Sequence, residues 1–181
     1  MRRFAALFHA LAAGLMAGGY AVSMSLASFS GEGTRPHELP LVQPLSSWTT
    51  FAAIVGHNGL VALMIVVGGM SLGVITIAQL WSIGYLFGLQ VAHAAEQGMT
   101  SERIIAMTLP HAIAEFAAFV VAGGIGLKIA AVTGRYYWHG EACDRRTVRR
   151  SIKGLGIVLA LILVAGGIET YLTPWCAEMV Q

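Results

Sequence analysis

From Phe51 to Ala92 the chain runs for 42 residues without one Asp, Glu, Lys or Arg, yet this stretch contains His57, Asn58, Gln79 and Gln90. As one helix it would reach about 63 Å at ~1.5 Å per residue, roughly twice the ~30 Å hydrocarbon thickness of a bilayer. It therefore has to cross a membrane twice. The break is expected between Gly68 and Gly73, where glycines and Ser71 favour a turn; a break nearer Gly84 is the alternative and would shift every helix depth. Polar and ionisable groups inside a membrane are costly and mark a pathway, a pairing or a site.

Composition agrees, with 56% hydrophobic and 11% charged residues and a mean hydropathy of +0.71, well below the charge content of a water-soluble domain. Apolar stretches from Phe4 to Phe29, Leu109 to Val132 and Leu155 to Pro174 each approach the ~20 residues that span a bilayer. The expected fold is all-α, a polytopic membrane helix bundle forming one domain over residues 1–181. Its five helices are expected at about 4–29, 51–67, 72–92, 109–132 and 155–174, with a basic loop at 133–153. The first stretch follows Arg2 and Arg3 and ends near Ala27 and Ser28, as a signal peptide would. At about 25 residues it is long for one, so it is expected to be a retained helix.

Nine of the eleven basic residues fall on one side of this topology: Arg2, Arg3, Lys128, Arg135, Arg145, Arg146, Arg149, Arg150 and Lys153. Lys and Arg are retained on the cytoplasmic side, so the amino end is expected in the cytoplasm and the carboxyl end outside. The location expected is the cytoplasmic (plasma) membrane, with multiple passes. Anionic lipid headgroups account for the basic loop, and no nucleic-acid partner is expected. Cys143 and Cys176 then lie on opposite sides of the membrane, which excludes a disulfide between them.

The same topology gathers ionisable residues at one depth. His111 and Glu115, four residues apart, share a helix face, with Glu115 about 9 Å below a helix start at Leu109. Glu169 lies roughly 7 Å from the outer end of the last helix, and His57 with Asn58 about 10 to 12 Å deep. His93 ends the third helix on this side, and His37 and Glu38 lie in the adjoining loop. One reading is hydrogen-bonding glue, since helices in lipid have little hydrophobic reason to associate. The other is a metal or proton-handling site, because imidazole and carboxylate are ordinary zinc ligands. The expected polar pocket comprises His57, Asn58, His93, His111, Glu115 and Glu169. In the metal reading His111, Glu115 and Glu169 hold zinc or another divalent ion, and His57 or Glu115 serves as catalytic base. The spacings Gly14/Gly18, Gly69/Gly73 and Gly84/Gly88 point to close helix packing.

Three segments resemble the stage II sporulation protein M family. They are LPHAIAEFAAFVVAGGIGLKI at Leu109–Ile129, HNGLVALMIVVGGMSLGVITI at His57–Ile77 and GIETYLTP at Gly167–Pro174. The resemblance runs from about Trp48 to the end and marks Asn58, Pro110, His111, Glu115, Glu169 and Pro174; Ala112 stands where Gly often follows the His. It implies a membrane subunit of the kind that scaffolds envelope remodelling, or that accompanies transporters and peptide maturation. Its partners would be membrane lipid, other membrane or envelope proteins or a peptide substrate, with a homo-oligomer as a further option. Besides that scaffold reading, an intramembrane zinc-dependent peptidase or peptide ligase is the alternative, and an ion or proton transporter is a third reading that lacks an acid in the inner half to complete a path.

The expected orientation is checked with a membrane-impermeant thiol reagent on intact cells. It should label Cys176 and spare Cys143, which should react only after permeabilisation; the reverse pattern contradicts the orientation.

Overall fold

The computed structural model describes residues 2–29 and 47–179, with the side chains of residues 2–5, 28–29 and 177–178 also left aside. All of the regular structure among these residues is helical: α1 (Arg2–Phe29), α2 (Ser47–Val67), α3 (Val74–Glu96), α4 (Ser101–His139), α5 (Arg145–Gly167) and α6 (Thr173–Met179). A 3-10 turn at Gly68–Ser71 separates α2 from α3, and a π-turn at Ile168–Leu172 joins α5 to α6 without a break in the rod. Among the described residues five spans are long and apolar enough to cross a membrane, namely α1, α2, α3, α4 and the rod from Arg145 to Cys176. The protein is a multi-pass membrane helix bundle. Its outer surface is apolar, with Leu60 57% and Ile113 62% exposed; such a surface is satisfied by lipid and would promote aggregation in water.

The turn inside the charge-free stretch is built from backbone that only special residues tolerate. Gly73 has φ of 90° and Leu72 φ of 55°, so the glycine supplies a left-handed conformation at no steric cost while Leu72 adopts one that L side chains rarely take. The Ser71 hydroxyl donates to the Gly68 carbonyl at 2.6 Å and accepts from the Ile75 amide at 3.0 Å. Two turns are thereby stitched together without any charged residue. Thr76, fully buried, donates its hydroxyl to the Ile65 carbonyl at 2.7 Å, fixing the start of α3 against the end of α2.

Two helices reach further than hydropathy alone indicates. α4 begins at Ser101, eight residues before Leu109, because the Thr100 hydroxyl caps it by accepting from the Arg103 amide at 3.3 Å, with Glu102 in the first turn. α4 also continues to His139, where Gly140, with φ of 66°, ends it. α5 starts at Arg145 rather than near Leu155, capped by the Asp144 carboxylate, which accepts from the Arg146 amide at 3.1 Å. The segment 133–153 is therefore mostly helix, and only residues 140–144 connect α4 to α5. Caps are local polar signals that a search for apolar length does not register. Hydropathy marks the part of a helix that lies in lipid, and these helices extend beyond it.

α4 is the central post, packing against α1, α2, α3 and α5. Its run Ala122, Gly123, Gly124, Ile125, Gly126 is buried throughout, and the small residues let neighbouring backbones come close. A Cβ on Gly126 would meet the Ile65 carbonyl of α2 at 2.5 Å, and one on Gly124 would run into the His9 ring of α1. α1 and α3 are joined the same way, because Gly84 faces the Met16 carbonyl and Gly88 faces Ser23. The fully buried Ile65, Leu80, Ala118, Ala122 and Ile162 fill the remaining space from four helices. Of the expected glycine pairs, Gly84 and Gly88 make close helix contacts, Gly18 meets Trp81 and Gly69 meets α4, whereas Gly14 has no described residue within 4 Å.

Substitution at the two kinds of glycine should therefore separate. Gly84→Val, driven into the α1 backbone, is expected to lose about 1–3 kcal/mol, as overpacking does. Gly14→Ala should stay within about 0.5 kcal/mol. Unfolding midpoints in detergent micelles check both.

Candidate functional site

The polar residues of α2, α4 and the α5–α6 rod meet on the side of α4 turned toward α2 and α5. The Asn58 side-chain amide of α2 donates a hydrogen bond to Glu115 Oε1 of α4. Asn58, Glu115 and Glu169 are all partly buried, and the π-turn that carries Glu169 packs against both α2 and α4. One turn before Glu115, His111 Nδ1 stands 3.4 Å from the Thr173 hydroxyl of α6. That hydroxyl also reaches the Ile168 carbonyl at 3.3 Å; with its hydrogen directed there, the His111 Nδ1–H donates to Thr173. Three segments distant in sequence thus contribute Asn58, His111, Glu115, Glu169 and Thr173 to one polar seam.

Local sequence explains why the rod widens at this point. Pro174 has no amide hydrogen to give, so the carbonyl four residues earlier, at Thr170, has no partner from the regular helical ladder. The Thr173 amide instead reaches Ile168, five residues back, which closes a π-turn. Single π-turns inside α-helices occur frequently at functional sites, and this one carries Glu169 and Thr170. The Thr170 hydroxyl oxygen is buried without a hydrogen-bond partner among the described residues. Sequence reasoning did not single out Thr170 or Thr173. The available signal was the Thr-Pro pair ending an apolar helix, which removes one backbone donor and supplies one side-chain hydroxyl.

His57 and His93 stand elsewhere. His57 is exposed on α2 and forms no hydrogen bond with a described residue; adjacent residues point about 100° apart around a helix of 3.6 residues per turn, so the seating of Asn58 turns His57 outward. His93 is exposed near the end of α3, bonded to Gln97 at 2.9 Å and 3.9 Å from Glu96. His37 and Glu38 lie outside the described residues. Because α4 begins at Ser101, Glu115 sits about 21 Å along it from the helix start at ~1.5 Å per residue, deeper along the helix than a start at Leu109 implies.

A zinc centre needs three protein ligands around one point. Among the described residues no three His, Cys, Asp or Glu side chains are gathered closely enough to hold a metal ion. Glu115 is engaged by Asn58, His111 is turned to Thr173, and the residues do not fit a three-ligand centre as they stand.

The sequence profile described as Stage II sporulation protein M matches residues 5–174, from the first helix to Pro174. The chain belongs to the Stage II sporulation protein M family. No curated protein and no solved structure matches it. The family match takes in every member of the polar seam. In this family member the Leu-Pro-His segment of α4 and the Thr-Pro end of the rod therefore meet in space, through His111 and Thr173.

Proposed function

We propose that this Stage II sporulation protein M family member is a subunit of the cytoplasmic membrane that supports an envelope-remodelling, peptide-maturation or export complex. In this reading the seam of Asn58, His111, Glu115, Glu169 and Thr173 is the pocket that receives a peptide or a helix of the partner, on the outer side of the membrane. The observation that carries it is the pairing of Glu115 with Asn58 beside a second carboxylate, Glu169, within a membrane bundle. Asn58 satisfies one oxygen of Glu115, and neither carboxylate has a cationic partner among the ion pairs of the described residues. A partner group that donates hydrogen bonds or carries positive charge, such as an amide, an amine or a basic side chain, supplies the donors that the remaining carboxylate oxygens lack. An apolar partner does not. Among the described residues no three-ligand arrangement supports the alternative reading, a zinc-dependent peptidase or peptide ligase.

Replacing Glu115 distinguishes docking from structural support. Glu115→Gln keeps size and hydrogen bonding but removes the charge, whereas Glu115→Leu also leaves Asn58 unpaired, at roughly 0.6 to 2 kcal/mol by membrane estimates. The proposal expects Glu115→Gln to unfold near the wild-type midpoint while losing its co-purifying membrane partners and its complementation of a deletion strain. Full function in Glu115→Gln contradicts it, because the seam is then structural support alone.

A further inference from the structure

The exposed imidazole of His57 is a group that the polar seam leaves unused. His57 is the eleventh of the 21 residues of α2, at the middle of a membrane span. Ionisable residues at such depth nearly always face the bundle interior or a water-filled cavity, since hydrocarbon offers no hydrogen-bond partner. His57 instead shares an outward stripe with Ala53, Gly56 and Leu60, all exposed. Gly56 has no described residue within 4 Å of the position a Cβ would take, so among the described residues the backbone is open to close approach beside the imidazole. Small residues next to a polar side chain are what a helix pair in lipid uses, the first for packing and the second for an interhelical hydrogen bond.

We propose that this face of α2 is the contact between two copies of the chain, with His57 of each copy bonded to His57 of the other. Two copies inserted with the same topology present α2 in parallel and bring both imidazoles to the same depth. A neutral imidazole carries one N–H donor and one bare nitrogen acceptor, so the residue is complementary to itself, as a two-fold contact requires. Ala53 and Gly56 allow the two helices to approach, and Leu60 packs one turn further on. The contact lies apart from Glu115 and Glu169, and the pocket of each copy stays available to a different partner.

The experiment uses the full chain in phosphatidylcholine vesicles, with Cys143→Ser and Cys176→Ser removing the native thiols. A single Ala53→Cys should form a disulfide-linked dimer on oxidation, whereas Ile75→Cys, on the exposed face of α3, should not. Dilution in lipid should show a dimer whose dissociation constant rises about three- to tenfold in His57→Leu, the range for one interhelical hydrogen bond in membranes, and recovers in His57→Gln. His57→Leu is a lipid-facing apolar change, so folding is retained, and an unshifted unfolding midpoint confirms this in the same samples. A monomer at every dilution, equal cross-linking through Ile75→Cys, unchanged dissociation in His57→Leu, or a cross-link from Ala53→Cys only to a different protein overturns the proposal.

Discussion

The hydrogen bond from Asn58 to Glu115 is the interaction on which the arrangement of the polar seam depends. In water two helices associate because contact removes apolar surface from solvent; in lipid that incentive is absent, and packing and interhelical polar bonds decide which faces meet. Asn58 ties α2 to α4 at one point and fixes the rotation of α2 about its own axis. That rotation determines two further things. It directs Ala62 and Ile65 into the core against α4, and it turns His57 to the outside.

The second support is steric. α4 carries three glycines within the five residues from Ala122 to Gly126, and α1, α2 and α3 each use that thinness, through His9, Ile65 and Leu80 respectively. Where a glycine faces a backbone carbonyl, the helices are held at a separation that no other residue permits. Because the same helix carries His111 and Glu115 two to four turns away, the packing of its glycine-rich half positions its polar half. The position of the polar seam is thereby coupled to the close packing of the glycine-rich half of α4.

Much of the architecture was legible because lipid imposes strong rules. The absence of charge over 42 residues required two crossings, and the glycines between Gly68 and Gly73 marked the turn, which uses the left-handed backbone at Gly73. Helix ends were read less well. Thr100 and Asp144 extend α4 and α5 by capping, a signal carried by one hydroxyl and one carboxylate. At the site, depth and azimuth separate. Equal depth grouped His57 with Asn58, but a helix turns by about 100° per residue, so only Asn58 meets Glu115. The π-turn escaped notice because it follows from the missing amide of Pro174 together with the neighbouring hydroxyl of Thr173, and no apolar period encodes it.

Asn58 and Glu115 form a coupled pair that orients α2 on α4. A double-mutant cycle with Asn58→Leu, Glu115→Leu and the combination, read as unfolding free energy in one detergent or bilayer, measures it most directly. A coupling of about 0.6 to 1.7 kcal/mol is expected, the range for interhelical hydrogen bonds in membranes, with the double variant less destabilised than the sum of the single ones. Additivity to within about 0.3 kcal/mol would contradict it.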